Sequence, residues 1–270
     1  MFNSLKRRNN LLPHNDAVKV GVIVQTNAPE IVELSARAGY DFVWVDIEHG
    51  SFDFKSLTET CRAADASKIT VMPRLPELDA SLIMRTLDAG AMGVVIPNVS
   101  GAQQVSTAVR ASRYKTGENG GVRGACPATR ASWHHETNWR DFIQWSNENV
   151  QVWAIIESAQ GVKNIDEILA VDGLGGIALG PFDLAHDLGH PGELNHPDVI
   201  DSQLKVVEAA TTRKVPVMAT LFSPNVTELA AERQFWHEKG VRIFNVGIDK
   251  SILARALSDR ANAVIPSQHL

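Results

Sequence analysis

Val150-Gln151-Val152-Trp153-Ala154-Ile155-Ile156-Glu157-Ser158 is a run of apolar and β-branched residues that stops abruptly on a carboxylate. A strand with one solvated face alternates apolar and polar residues, whereas a strand buried on both faces reads as nearly continuous apolar. This stretch is of the second kind, which is how a parallel strand covered by helices reads. Working outward from it, seven more short runs of similar character lie near residues 18–25, 42–46, 69–73, 93–96, 176–179, 215–220 and 241–247.

The segments between these runs carry helix signals. Asn27 is placed to cap a helix with Pro29 in its first turn and Gly39 at its end. Asp79 caps a segment that closes at Gly90, and Asn225 opens another that closes at Gly240. Gly161 begins an amphipathic stretch with Val162, Ile165, Ile168 and Leu169 inward, and the last helix runs from Ser251 to near Ala263. Gly173-Leu174-Gly175-Gly176 reads as a tight turn into the sixth strand. Repeated strand–helix units imply a parallel sheet with right-handed crossovers, and eight of them favour closure. The expected fold is a single (β/α)8 TIM barrel over residues 1–270, with an open doubly wound sheet as the alternative. Residues 1–17 form a polar N-terminal segment, and 250–270 a C-terminal helix and tail. Between the fourth and fifth strands lies a long insertion, 113–149, polar and glycine-rich at its start, with a helix expected over 139–147. Long loops in compact domains are usually functional or mobile.

The totals fit one soluble domain. The chain has 270 residues, 44% hydrophobic and 21% charged, which allows a large core. A net charge of −5 gives no reason to propose nucleic acid, and Lys6-Arg7-Arg8 is a short basic run in a polar tail. Two cysteines, Cys61 and Cys126, make no disulfide framework or metal motif, which points to a reducing compartment. No stretch approaches about 18 uninterrupted apolar residues, and no apolar segment follows the basic N-terminus. The expectation is a cytoplasmic protein without membrane contact.

In a barrel, chemistry gathers where strands end and loops begin. The second strand ends Asp46-Ile47-Glu48-His49-Gly50, the third Pro73-Arg74, the fifth Glu157-Ser158, and the sixth Gly180-Pro181-Phe182-Asp183. Singly, each charged residue could be a helix cap, a surface group or a local ion pair, such as Arg74 with Glu77 or Asp79. Together they suit one chemistry. Glu157 and Asp183 offer hard oxygens for Mg2+, Mn2+ or Co2+ and leave coordination positions open. A 2-oxo acid can chelate such an ion, which stabilises negative charge as a neighbouring proton leaves. Arg74 could bind the carboxylate or the developing enolate oxygen. Imidazole exchanges protons near neutral pH, which suits His49 to acid–base work, with Asp46 or Asp88 to orient it.

These residues also carry a resemblance. Ala38-Gly39-Tyr40-Asp41-Phe42 leads to Asp46-Ile47-Glu48-His49-Gly50, followed by Pro73-Arg74, Leu87-Asp88-Ala89-Gly90 and Ile96-Pro97. Then come Ile156-Glu157-Ser158, Gly180-Pro181-Phe182-Asp183-Leu184, Leu188-Gly189-His190-Pro191 with His196-Pro197, and Val246-Gly247-Ile248-Asp249. In this order, over roughly residues 18–260, the sequence resembles the HpcH/HpaI family of metal-dependent pyruvate aldolases. The resemblance implies a phosphoenolpyruvate/pyruvate-type barrel that makes or cleaves 4-hydroxy-2-oxo acids from pyruvate and an aldehyde. It implies Glu157 and Asp183 as metal ligands, and Arg74 as the pyruvate and enolate contact. His49 is the implied acid–base residue, assisted by Asp88 or Asp46; Ser158, Gly180, Pro181 and Phe182 line the substrate. A homo-oligomer, commonly a hexamer with swapped C-terminal helices, is also implied. The chain departs from the family pattern at Ile155, where glutamine is usual, and at Lys115-Thr116, which lack the usual proline. His134-His135 follow a family segment that appears here as Thr129-Arg130-Ala131-Ser132-Trp133. The insertion is therefore expected near the aldehyde, while His134, His135, His186 and His190 read as surface residues. Three rivals are a citrate-lyase or malyl-CoA-lyase type of reaction or a decarboxylation on the same enolate, a Schiff-base aldolase using Lys250, and a barrel retained only for binding.

Overall fold

The computed structural model describes residues 17–117, 120–134 and 138–264. The basic run at 6–8, His135 and the tail from 265 lie outside them. Eight strands close into a barrel in sequence order, every pair parallel. They are β1 (Lys19–Val24), β2 (Phe42–Asp46), β3 (Thr70–Arg74), β4 (Gly93–Ile96), β5 (Gln151–Ile156), β6 (Leu174–Leu179), β7 (Val217–Leu221) and β8 (Ile243–Ile248). The eight apolar runs become these strands, with edges displaced by at most two residues, and β6 starts at Leu174 rather than Gly176.

The helices are α1 (Pro29–Arg37), α2 (Phe54–Ser67), α3 (Ala80–Asp88), α4 (Ala102–Ser112), α5 (Trp139–Asn149), α6 (Ala159–Lys163), α7 (Ile165–Leu169), α8 (Pro181–Asp187), α9 (Pro197–Thr212), α10 (Val226–Glu238) and α11 (Asp249–Asn262). Asp79 caps α3 through the Leu82 N–H, and Asn225 caps α10 through Thr227. Gly39 and Gly90, at φ +93° and +106°, turn the chain out of α1 and α3 in a backbone region that favours glycine. Asn27 does not cap α1. The capping position is Ala28, and the Asn27 amide instead donates to the Ser51 carbonyl at 3.1 Å, tying the loop after β1 to the loop after β2.

Two apolar layers follow from the strand pleat. Ile23, Phe42, Trp44, Met72, Trp153, Ile155, Ala178, Met218 and Ile243 point inward and fill the barrel. Alternate residues such as Val43, Val94, Val152, Ala154, Ile177 and Ala219 meet the helices. Gly176 sits against the ring of Trp153, where a Cβ would come within 2.5 Å. No helix among the described residues is long and apolar enough to cross a membrane.

Candidate active site

The strand ends β2, β3, β5 and β6 bring their charged residues to one end of the barrel. Asp46 and Arg74 are direct neighbours in the β2–β3 register. The guanidinium grips the carboxylate with two bonds, Nε to Oδ1 at 3.0 Å and Nη2 to Oδ2 at 2.7 Å. Asp46 is wholly buried and also accepts the Gln25 amide at 2.8 Å and the backbone N–H groups of Glu48 and His49. Burial opposes its ionisation, but Arg74 and these donors hold its carboxyl below the ordinary range. The third Arg74 contact is Nη1 to Glu48 Oε2 at 2.9 Å. A guanidinium has five N–H donors, so two remain for a substrate oxygen. The expected local pairing with Glu77 or Asp79 is not made; Asp79 is occupied as a helix cap.

Glu157, one residue past β5, is 4% exposed. Its Oε1 accepts the Asn98 N–H at 2.6 Å. Burial pushes its carboxyl up to about 7, and the nearby charges of Asp183 and Glu48 push the same way, against Asn98 and Arg74. Glu48 is also raised, mainly by burial, with Arg74 and His49 opposing and Asp46 and Asp183 reinforcing. Asp183 stands exposed in the first turn of α8. Gly180 makes room for the group: a Cβ there would lie 2.7 Å from Glu157 Oε2. Three carboxylates facing one already paired arginine leave a surplus of negative charge, with oxygen donors spare on Glu157 and Asp183. That donor set fits a hard divalent cation.

The remaining site candidates divide. His49 lies at the rim, its side chain 62% exposed, with Nε2 3.7 Å from Glu48 Oε2. Its ring does not rest on Asp46, which holds only its backbone N–H. Ser158 caps α6, its hydroxyl accepting the Gly161 N–H, so its proton stays available. Gly180 and Pro181 form the step from β6 into α8, and Phe182 packs edge-on against Phe222 with centroids 4.9 Å apart. Lys250 is exposed in the first turn of α11, without the apolar pocket that a Schiff-base amine needs.

Asp88 is not brought to His49 within the chain. It ends α3, where the chain turns back to start β4, and it binds buried Arg123 of the insertion. The insertion as a whole sits at that opposite end: Arg130 bonds Asp65, the Cys61 carbonyl and the Ala89 carbonyl, and α5 leads directly into β5. Within one chain it therefore closes the end where strands begin, not the end where an aldehyde would enter. Its aromatic cluster of Tyr114, Trp139, Phe142 and Trp145 packs on itself. His134 and His186 are exposed, as expected, whereas His190 is half-buried and stacked on His196.

Gln25, Glu48 and Asn98 were missed as site residues. Asn98 follows Pro97 with φ +54°, a left-handed conformation that asparagine tolerates and that aims its N–H at Glu157. That signal was readable in the sequence; nothing in the spacing marked Gln25.

Residues 19–256 match the family model described as HpcH/HpaI aldolase/citrate lyase. The chain belongs to that family. A hydroxypyruvate/pyruvate aldolase of Paraburkholderia phytofirmans is 32% identical over 239 residues, 87% of this chain and 89% of the relative. A 5-keto-4-deoxy-D-glucarate aldolase of Enterobacter sp. is 29% identical, covering 91% of this chain and 92% of its own. The solved structure of a family protein from Burkholderia cenocepacia superposes with a TM-score of 0.85 at 30% identity, over 97% of this chain and 98% of that one. This HpcH/HpaI chain is a carbon–carbon lyase of the aldolase type. Its Ile155, 2% exposed, points into the barrel two residues before Glu157.

Proposed function

We propose that the chain cleaves or forms 4-hydroxy-2-oxo acids, with pyruvate as one partner and an aldehyde as the other, using a divalent cation held by Glu157 and Asp183. The observation that carries this reading is the convergence of Glu157, Asp183 and Glu48 on a site whose arginine is already paired. When bound, Mg2+, Mn2+ or Co2+ would draw electron density from the keto oxygen of the 2-oxo acid.

Arg74, fixed by Asp46 and Glu48, directs its two remaining N–H groups at the substrate's carboxylate or keto oxygen. His49 accepts the proton of the 4-hydroxyl as the C3–C4 bond breaks. The oxygen's electron pair becomes the aldehyde C=O, and C3 keeps the bonding pair until it takes a proton and becomes the pyruvate methyl. Glu48, within 3.7 Å of His49, stabilises the imidazolium. Ser158, Gly180, Pro181 and Phe182 border the substrate. Two cysteines without a disulfide framework, Cys61 and Cys126, suit the reducing cytoplasm. The exposed apolar side chains of α11 support a homo-oligomer, a hexamer by resemblance.

Exchange of the pyruvate methyl protons for deuterium is the direct test. It is expected to stop in EDTA and return with Mg2+, Mn2+ or Co2+, and Glu157→Gln should lower it by about 100-fold or more. Undiminished exchange by Glu157→Gln in EDTA would remove the metal assignment.

A further inference from the structure

A cavity of about 670 Å3 opens beside the site, between the ends of β6 and β7 and beneath α9 and α10. Pro181, two residues before Asp183, and Thr220, on the inward face of β7, form its inner wall, so it adjoins the turn that carries Asp183. Its outer wall carries Phe235 and Trp236.

The polar side chains facing this space are neutral or acidic. The Thr220 hydroxyl has no bonding partner among the described residues. Gln203 is 4% exposed, and its amide makes a single long contact of 3.5 Å with the Val199 carbonyl of its own helix. Its oxygen and second N–H are left for the cavity. Burying a polar side chain with unused hydrogen-bonding capacity costs stability unless a ligand or water completes it. The charged residues lining the cavity are both acidic. Glu232 accepts the Phe222 and Ser223 N–H groups at 3.3 and 3.2 Å, and Glu228 accepts the Ser223 hydroxyl at 2.7 Å. Among the described residues, no Lys, Arg or His lines it. Arg255 reaches only the Pro224 carbonyl at its border, and Arg74 is held across the site by Asp46 and Glu48.

We infer that this cavity takes the aldehyde half of the substrate, and that this half is an uncharged polyhydroxy chain rather than a carboxylate-bearing semialdehyde. The inference rests on the aldolase reading above. Hydroxyl groups find neutral donors and acceptors in Thr220 and Gln203, and the C–H faces of a polyol suit the aromatic wall. A terminal carboxylate meets Glu228 and Glu232 with no cation among the described lining residues to pair it, and like charge in a partly dry cleft is discriminated against.

The full-length, metal-loaded protein separates the two questions. Deuterium exchange into pyruvate without any aldehyde tests the pyruvate half; its absence defeats the aldolase reading and this inference with it. Given exchange, addition of pyruvate to D-erythrose is compared with addition to succinic and tartronate semialdehydes. The expected kcat/KM is about tenfold or more in favour of erythrose, the worth of roughly one hydrogen bond. Thr220→Val should raise KM for erythrose about fivefold or more, and Glu228→Lys should move the preference toward the semialdehydes. A wild-type preference for the carboxylate-bearing aldehydes overturns the inference while leaving the aldolase reading intact, as does a preference that neither variant moves.

Discussion

Glu157 and Asp46 are both buried carboxylates at strand ends, yet their surroundings drive them in opposite directions. Asp46 has a guanidinium clamped across both oxygens, and its carboxyl is lowered. Glu157 has one backbone N–H and two like-charged neighbours, and its carboxyl rises to about 7. The first arrangement is a fixed anchor for Arg74; the second suits the cation proposed above. The linkage sign follows. A carboxyl raised in the fold binds more protons than in the unfolded chain, so metal-free stability should fall as pH rises from about 4.5 to about 7, then level off. A shift of this size is worth roughly 3 kcal/mol. Over the same window, binding of Mg2+ or Mn2+ should release a proton, so affinity should climb with pH and flatten above about 7. Chemical denaturation in EDTA and metal titration at several pH values check both; stability that rises from pH 4.5 to 7 without metal would contradict the origin assigned to the shift.

At the scale of elements, the insertion and α3 show where spacing in a sequence stops being informative. Asp88 precedes β4 by only a few residues, and in sequence it reads as a neighbour of the site. A helix returning to the start of the next strand places its last residue at the far end of the barrel, however, and there Asp88 neutralises Arg123, whose side chain is 1% exposed. Removing one partner of a buried pair leaves the other uncompensated, at a cost of about 3–5 kcal/mol. Asp88→Ala should therefore lower Tm and open the insertion near 113–124 to limited proteolysis. An unchanged Tm and digestion pattern would show that Arg123 is not held this way. The strands were legible because burial on both faces leaves a one-dimensional mark, as in Val152-Trp153-Ala154-Ile155-Ile156. The proposed pair Glu157 and Asp183 could be singled out because a barrel turns strand ends into one rim. The end of the barrel that the insertion covers was not, since polar loops read alike at either end. Gln25 was equally hidden, because its role depends on a β1–β2 contact that no local pattern encodes.

For the whole molecule, α11 links the site to the proposed assembly. Its first residue, Asp249, is buried and accepts the N–H groups of Gln25 and Thr26 at 2.9 Å each. Gln25 in turn bonds Asp46, which holds Arg74, so the base of the helix stands three contacts from the substrate's expected arginine. Beyond Asp249 the helix has little cover among the described residues: Ile252, Leu253 and Leu257 are 49%, 49% and 59% exposed. Fully burying one such side chain contributes roughly 1.5–3 kcal/mol, so three per copy, multiplied around a closed ring, give assembly a substantial drive. Charges placed on that face should remove it without disturbing the barrel, whose core lies elsewhere. The double variant Leu253→Asp, Leu257→Asp is expected to sediment as a monomer with native circular dichroism, while the unaltered chain sediments as a hexamer. A wild-type chain that stays monomeric at micromolar concentration would mean that α11 is exposed for some other reason than a second copy of this chain.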